Sequence, residues 1–152
     1  MATKKRAAKK IVAKKGAAKK SPAKKRATKK ATASSPDART RDICLGFPEA
    51  HEVEAWGAPT YRVNNKVFAM YIPPDNHHHV GRPAVWICST HVEQDLVVRA
   101  RPTLYFKPPY VGPSGWIGAY LDGKPPWMEI IELLREGYRR RAPKKLAALL
   151  DE

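Results

Sequence analysis

Three consecutive histidines, His77, His78 and His79, are by type the side chains best able to hold a metal ion. Neighbouring loop residues can offer two imidazoles to one ion, but a closed zinc site takes four ligands from spaced positions. Asp75, His51 and His91 would complete a set only if the fold gathered them. The run therefore reads as a solvated polar loop, and neither a metal nor a cofactor is expected. Catalytic signatures are absent too: there is no Gly-rich phosphate loop, no G-x-S-x-G elbow and no nucleophile paired with a base at a recognised spacing. Asp122, in "YLDG", reads as a turn aspartate before a helix. The expectation is a non-enzymatic protein.

The chemistry this sequence repeats is cationic. Lysine pairs recur every five residues, as Lys4-Lys5, Lys9-Lys10, Lys14-Lys15, Lys19-Lys20, Lys24-Lys25 and Lys29-Lys30, with Arg26 beside the fifth. From Met1 to Pro36 there are 14 Lys and Arg residues and no Asp or Glu. From Asp37 to Glu152 there are 15 basic and 14 acidic residues, so the chain's charge of +15 sits almost wholly in its first quarter. All 13 aromatic residues follow Pro36.

A segment so charged, with no aromatic anchor, cannot bury enough apolar area to offset its ordering entropy. Residues 1–36 are thus predicted to be a disordered basic tail, and residues 37–152 one globular domain. A helix would give the tail no docking face. Five residues turn about 500°, so successive pairs step about 140° around the axis, and Pro22 interrupts the run. A flexible polycation suits the phosphate backbone, where released counterions give affinity without any reading of sequence. Fully extended, the tail would reach on the order of 120 Å. The expected partner of these lysines and Arg26 is double-stranded DNA, with RNA or the ribosome as the alternative.

Other destinations fit less well. The chain has no apolar signal-peptide core and no stretch of roughly 18 apolar residues, so no membrane association is expected. Cys44 and Cys88 lie in apolar surroundings without a CxxC spacing and read as reduced core residues. The expected location is the cytoplasm, on the nucleoid, or the nucleus in a eukaryote. Oligomeric state is not legible.

Hydrophobic periodicity places the elements that would carry these side chains. A short helix is predicted over 37–46, ending at Gly46, and strands over His51–Trp56, Thr60–Val63 and Lys66–Ile72, with Asn64-Asn65 as a tight hairpin turn. Pro73–Pro83 reads as a loop and Ala84–Ser89 as a central strand. Thr90 with Glu93 fits a capping box opening a helix to Ala100, before Pro102. "TLYF" and "WIGAYL" read as strands, and Pro125 or Pro126 as the start of the main helix. On it Trp127, Ile130, Ile131, Leu134 and Tyr138 share one apolar face. Pro143 ends it, and Lys144–Leu150 forms a last short turn. The fold class is α+β, a mostly antiparallel sheet covered by helices on one side.

Within the domain the cations able to reach a phosphate are Arg62, Lys66, Arg99, Arg101, Lys107, Arg139, Arg140, Arg141, Lys144 and Lys145. The last five form the densest group, "RRRAPKK", although a helix C-terminus also favours cations for dipole reasons alone. Trp116 and Tyr120 flank Gly118 on one strand face. They read as core or, if exposed, as a stacking platform for bases or a small ligand.

Several blocks resemble a known family. "FPEAHEVEAWGAPTYRVNNKVFAMY" (Phe47 to Tyr71), "RARPTLYFKPPYVGPSGWIGAYLDG" (Arg99 to Gly123) and "LLREGYRRRAPKKLAALL" (Leu133 to Leu150) resemble, in order, the MmcQ/YjbR family. The resemblance covers about residues 40 to 150 and implies a CyaY-like, frataxin-like α+β fold in proteins commonly labelled DNA-binding. A frataxin-like iron-chaperone role would need an acidic ridge on the first helix, where Asp37 and Asp42 stand against Arg39 and Arg41. The "SPAKK" unit (Ser21 to Lys25) and the repeated "AKK" resemble linker-histone tails and the Lys-Ala-Pro-rich extensions of some nucleoid proteins.

Overall fold

The computed structural model describes residues 35–75 and 81–151. The chain separates between Ser35 and Pro36 into two units, and every described element belongs to the second. In chain order these are α1 (Pro36–Leu45), β1 (His51–Ala55), β2 (Ala58–Val63), β3 (Lys66–Ile72), β4 (Ala84–Ile87), α2 (His91–Ala100), β5 (Tyr105–Phe106), β6 (Ile117–Tyr120), α3 (Trp127–Arg141) and α4 (Lys144–Ala148). The six strands form one sheet in the order β1-β2-β3-β4-β6-β5, and every neighbouring pair is antiparallel.

Two-residue turns set the first three strands. Trp56-Gly57 joins β1 to β2 with φ of 54° and 75°, and Asn64-Asn65 joins β2 to β3 with 53° and 63°. Positive φ at both central residues matches the right-handed twist of the flanking strands. The asparagine pair forms the turn expected of it. Trp56 is not a residue type that announces one. Tyr61 pairs with Ala69 but Arg62 pairs with Val67, so Phe68 is an extra residue on β3. This bulge turns Phe68 to the same side as Ala69, and both enter the helix-covered core.

That core joins Tyr61, Val85, Ile87, Ile117 and Ala119 of the sheet to Ile130, Leu134 and Tyr138 of α3, Cys44 of α1 and Leu146 of α4. Tyr138 is the hub of its basic end. Its ring packs against Phe47 at 5.1 Å and edge-on to Phe68 at 5.5 Å, and its hydroxyl donates to the Pro48 carbonyl at 2.6 Å. Gly137 lets α3 approach the sheet, since a Cβ there would stand 3.0 Å from the Cys88 carbonyl oxygen. The buried face of α3 is centred on Ile130, Leu133, Leu134 and Tyr138; Trp127 and Ile131, placed on it by periodicity, are only half-buried.

The opposite face of the sheet is buried as well. Met70, Ile72, Ala84, Trp86, Cys88 and Trp116 form a second cluster, with Val67, Phe106, Val111 and Tyr120 packed against it. Helices therefore cover one face, as expected, while the loop after β5 contributes Val111 and Trp116 to the other. A strand buried on both faces must be apolar at every position, which is why β4 reads "AVWI". The loop is tied down by Gln94 of α2, whose buried amide donates to the carbonyls of Gly112 at 2.9 Å and Trp116 at 2.6 Å. Thr90 caps α2 as expected, the Glu93 N–H donating to Thr90 Oγ1 at 3.2 Å, while the Glu93 carboxylate accepts from the Ser89 hydroxyl. Both cysteines are buried free thiols, and burial pushes each thiol pKa up. No described helix is long and apolar enough to cross a membrane.

Candidate nucleic-acid interface

The run "RRRAPKK" is contiguous in sequence but not alike in structure. Arg139 is committed: its guanidinium lies 2.7 Å and 3.3 Å from the two Asp151 carboxylate oxygens and 3.3 Å from Glu136. That contact holds the Asp151 carboxyl below the usual carboxylate range. Arg141 turns the other way, and its Nε donates to the Val67 carbonyl at 3.2 Å. Arg140 has only a loose pairing, 3.9 Å from Glu93, a carboxylate that also accepts from the Ser89 hydroxyl at 2.9 Å. Lys144 and Lys145 open α4, are exposed, and make no hydrogen bond or ion pair among the described residues.

The Arg141 bond decides what stands beside this cluster. Val67 is the ladder partner of Arg62, and Lys66 precedes it at the start of β3. The C-terminal end of α3 is therefore held against the turn end of the β2–β3 hairpin. Arg62 donates from Nε to Thr60 Oγ1 at 3.1 Å, and Lys66 is exposed. Arg62, Lys66, Arg140, Arg141, Lys144 and Lys145 thus come from two distant stretches to one end of the domain. Of the described carboxylates, Glu93 lies 3.9 Å from Arg140, and Asp151 and Glu136 are engaged by the neighbouring Arg139.

The remaining candidates fall elsewhere. Arg99 and Lys107 both pair with Asp95 at 3.4 Å, and Arg101 pairs with Glu129 at 3.1 Å. The two-ring platform is not open. Trp116 is 6% exposed within the second core cluster, because the Gln94 bond draws its loop onto the sheet. Tyr120 stacks on Phe106 with centroids 4.4 Å apart, and the Arg82 guanidinium carbon lies 3.7 Å from its ring centre. His51 approaches the Glu49 carbonyl at 3.5 Å and His91 the Pro113 carbonyl at 2.7 Å. Among the described residues no three His, Cys, Asp or Glu side chains group to hold a metal. His77, His78 and His79 lie outside the described residues, as do Lys4, Lys5, Lys9, Lys10, Lys14, Lys15, Lys19, Lys20, Lys24, Lys25, Arg26, Lys29 and Lys30.

Over residues 45–140 the chain matches the YjbR family. The chain belongs to that family. The YjbR span holds the whole sheet, α2 and nearly all of α3, so Arg62, Lys66 and Arg140 lie inside it, whereas Arg141, Lys144 and Lys145 follow it. The fold is similar to that in a crystal structure of Deinococcus radiodurans protein DR2400, of the DUF419 domain family. The TM-score is 0.57 at 16% identity, over 70% of this chain and 80% of that one. No curated protein matches the chain. Sequence reading named Arg62 and Lys66 as candidates but had no signal to join them to residues 140–145. The joining contact is a backbone carbonyl, which carries no residue type.

Proposed function

We propose that this protein is a non-enzymatic, sequence-independent binder of duplex DNA, in which residues 1–36 supply most of the affinity and the basic end of the YjbR domain supplies a second contact. The charge distribution carries this reading: the 14 cations of residues 1–36 have no carboxylate among them, and Lys66, Lys144 and Lys145 of the domain are exposed cations without a described partner. A polycation gains affinity by releasing counterions from phosphates. Once it is bound, the domain's cations act at a raised effective concentration. Lys66, Lys144 and Lys145 meet phosphate with no partner among the described residues to give up; Arg139 would have to leave Asp151. The protein would then reside on the nucleoid, its tail acting as linker-histone tails do and its domain carrying a frataxin-like (CyaY-like) fold. A gel-shift series across salt, comparing the full chain with residues 35–152, tests it. Loss of most duplex affinity on removing the tail is the expected result; undiminished binding by the shorter chain would overturn it.

A further inference from the structure

We propose that a cleft at the β5–β6 side of the sheet, remote in sequence from the basic end, is a binding site for a phosphate monoester the size of a nucleoside monophosphate. The cleft encloses about 480 Å³, and its walls include Arg82, Arg101, Thr103, Tyr120, Asp122 and Lys124. That volume falls within the range of small-ligand sites. None of the six cations of the basic end lines it.

Two of the cations here have partners that orient them. Arg82 donates from Nε and Nη2 to the two Asp122 oxygens, both at 2.8 Å. Its guanidinium also rests on the Tyr120 ring, which stacks in turn on Phe106. Phe106 can lie there only because residue 118 is glycine; a Cβ at Gly118 would collide with the Phe106 ring. The carboxylate takes two of the five guanidinium N–H groups and leaves three as aimed donors. Arg101 lies 3.1 Å from Glu129, whose carboxylate also accepts from the Tyr105 hydroxyl at 2.7 Å. Lys124 follows Gly123, at φ 75° with open space around it, and makes no hydrogen bond or ion pair among the described residues.

Three cations and one carboxylate line the cleft, and Glu129 pairs with Arg101 beside it. Lys124 is thus the one charge there with no counter-ion among the described residues, and the two guanidiniums contribute their remaining N–H donors to a phosphate. The Arg82 fork, fixed by Asp122 and Tyr120, loses little side-chain entropy on binding, and Lys124 adds a point charge. Thr103 adds a hydroxyl donor, and Leu104, Pro102, Pro125 and Pro126 supply apolar walls. The phosphate could belong to a free mononucleotide or to the 5′ end of a nucleic acid strand. The chemistry recognised is the same in both, and the site does not depend on the duplex-binding reading above.

Thermal unfolding of the full chain at constant ionic strength tests this, because phosphate held only by residues 1–36 would not stabilise the fold, whereas a ligand bound to the folded domain raises Tm by mass action. The ligands are adenosine monophosphate, adenosine, inorganic phosphate, and an oligonucleotide with or without a 5′-phosphate. Adenosine monophosphate is expected to raise Tm dose-dependently and adenosine not to. Lys124→Gln should weaken the apparent affinity about tenfold, the effect of losing one charge-assisted contact, while Lys144→Gln should leave it unchanged. Arg82→Ala should abolish the shift. Should that variant fail to fold, Lys124→Gln decides alone. A 5′-phosphate-dependent shift with the oligonucleotide and none with the mononucleotide would assign the site to strand ends. Equal shifts in wild type and Lys124→Gln, or no shift with any phosphate ligand, would overturn the proposal.

Discussion

The two cation groups of the YjbR domain are opposites in construction. At the basic end, Lys66, Lys144 and Lys145 are exposed and have no partner among the described residues, and Arg140 is only loosely tethered. Around the cleft, Arg82 is oriented by the Asp122 carboxylate and the Tyr120 ring, and Arg101 pairs with Glu129, which also accepts from Tyr105. Free lysines sum into a field that any phosphate backbone satisfies. Oriented guanidiniums present donors at fixed angles and select for shape. Equal charge counts can therefore serve unlike ends, and side-chain partners rather than charge tell them apart.

The largest expected effect isolates the contribution of residues 1–36 from that of the domain. If about 8 to 12 of the tail cations each engage a phosphate, the log–log salt dependence of duplex binding should have a slope of roughly −7 to −11, and removing residues 1–34 should bring it to about −3. A slope near −2 for the full chain in gel-shift titrations would remove the tail as main binder. The same deletion should leave Tm nearly unchanged, since the aromatics and both core clusters follow Pro36.

Next comes a substitution that strikes one group only. Gly118→Ala forces Phe106 off the strand and so disturbs the Tyr120 and Arg82 stack, at a stability cost of about 1–3 kcal/mol. Calorimetry should record that loss, and the variant should lose the phosphate-dependent Tm shift while keeping the wild-type salt slope for duplex DNA. A changed slope would show that the two groups are not separate.

Charge reversal within the basic end is smaller. Lys144→Glu and Lys66→Glu should each weaken duplex binding several-fold and reduce the salt slope by about 1 to 2. Arg139→Ala, only five residues from Lys144, should change affinity less than twofold because Asp151 and Glu136 already engage that side chain. Equal losses at Arg139 and Lys144 would mean that the ion pair opens freely and the split within "RRRAPKK" has no functional meaning.

The smallest effect is on pH-dependent stability. Glu52 accepts from Arg41 through both oxygens at 2.9 Å, and that contact holds its carboxyl below the usual range. A folded-state pKa below the unfolded value stabilises the fold above the unfolded pKa, near 4.3. That contribution fades as pH falls through the lower folded value. The pair is partly exposed, so Glu52→Gln should cost less than about 1 kcal/mol at pH 7 and flatten the loss of Tm between about pH 5 and 3. An unchanged acid limb would show that the pair contributes nothing.

What the sequence determined by itself is local. The Asn64-Asn65 turn, the Thr90–Glu93 cap, the apolar run of β4 and the break at Pro143 are each written in adjacent residues, because turns, caps and helix ends depend on backbone preferences a few positions apart. Charge segregation was legible for the same reason: it is a property of composition. The tertiary structure alone decided which cations stand together. Arg62 reaches Arg141 through the Val67 carbonyl, and Arg82 reaches Asp122 across 40 positions. Trp116, equally fit by type for core or platform, became core because Gln94 draws its loop onto the sheet. Such contacts follow from how strands order and how a helix crosses them, and a backbone carbonyl or a guanidinium's choice among several carboxylates leaves no spacing in the chain to read.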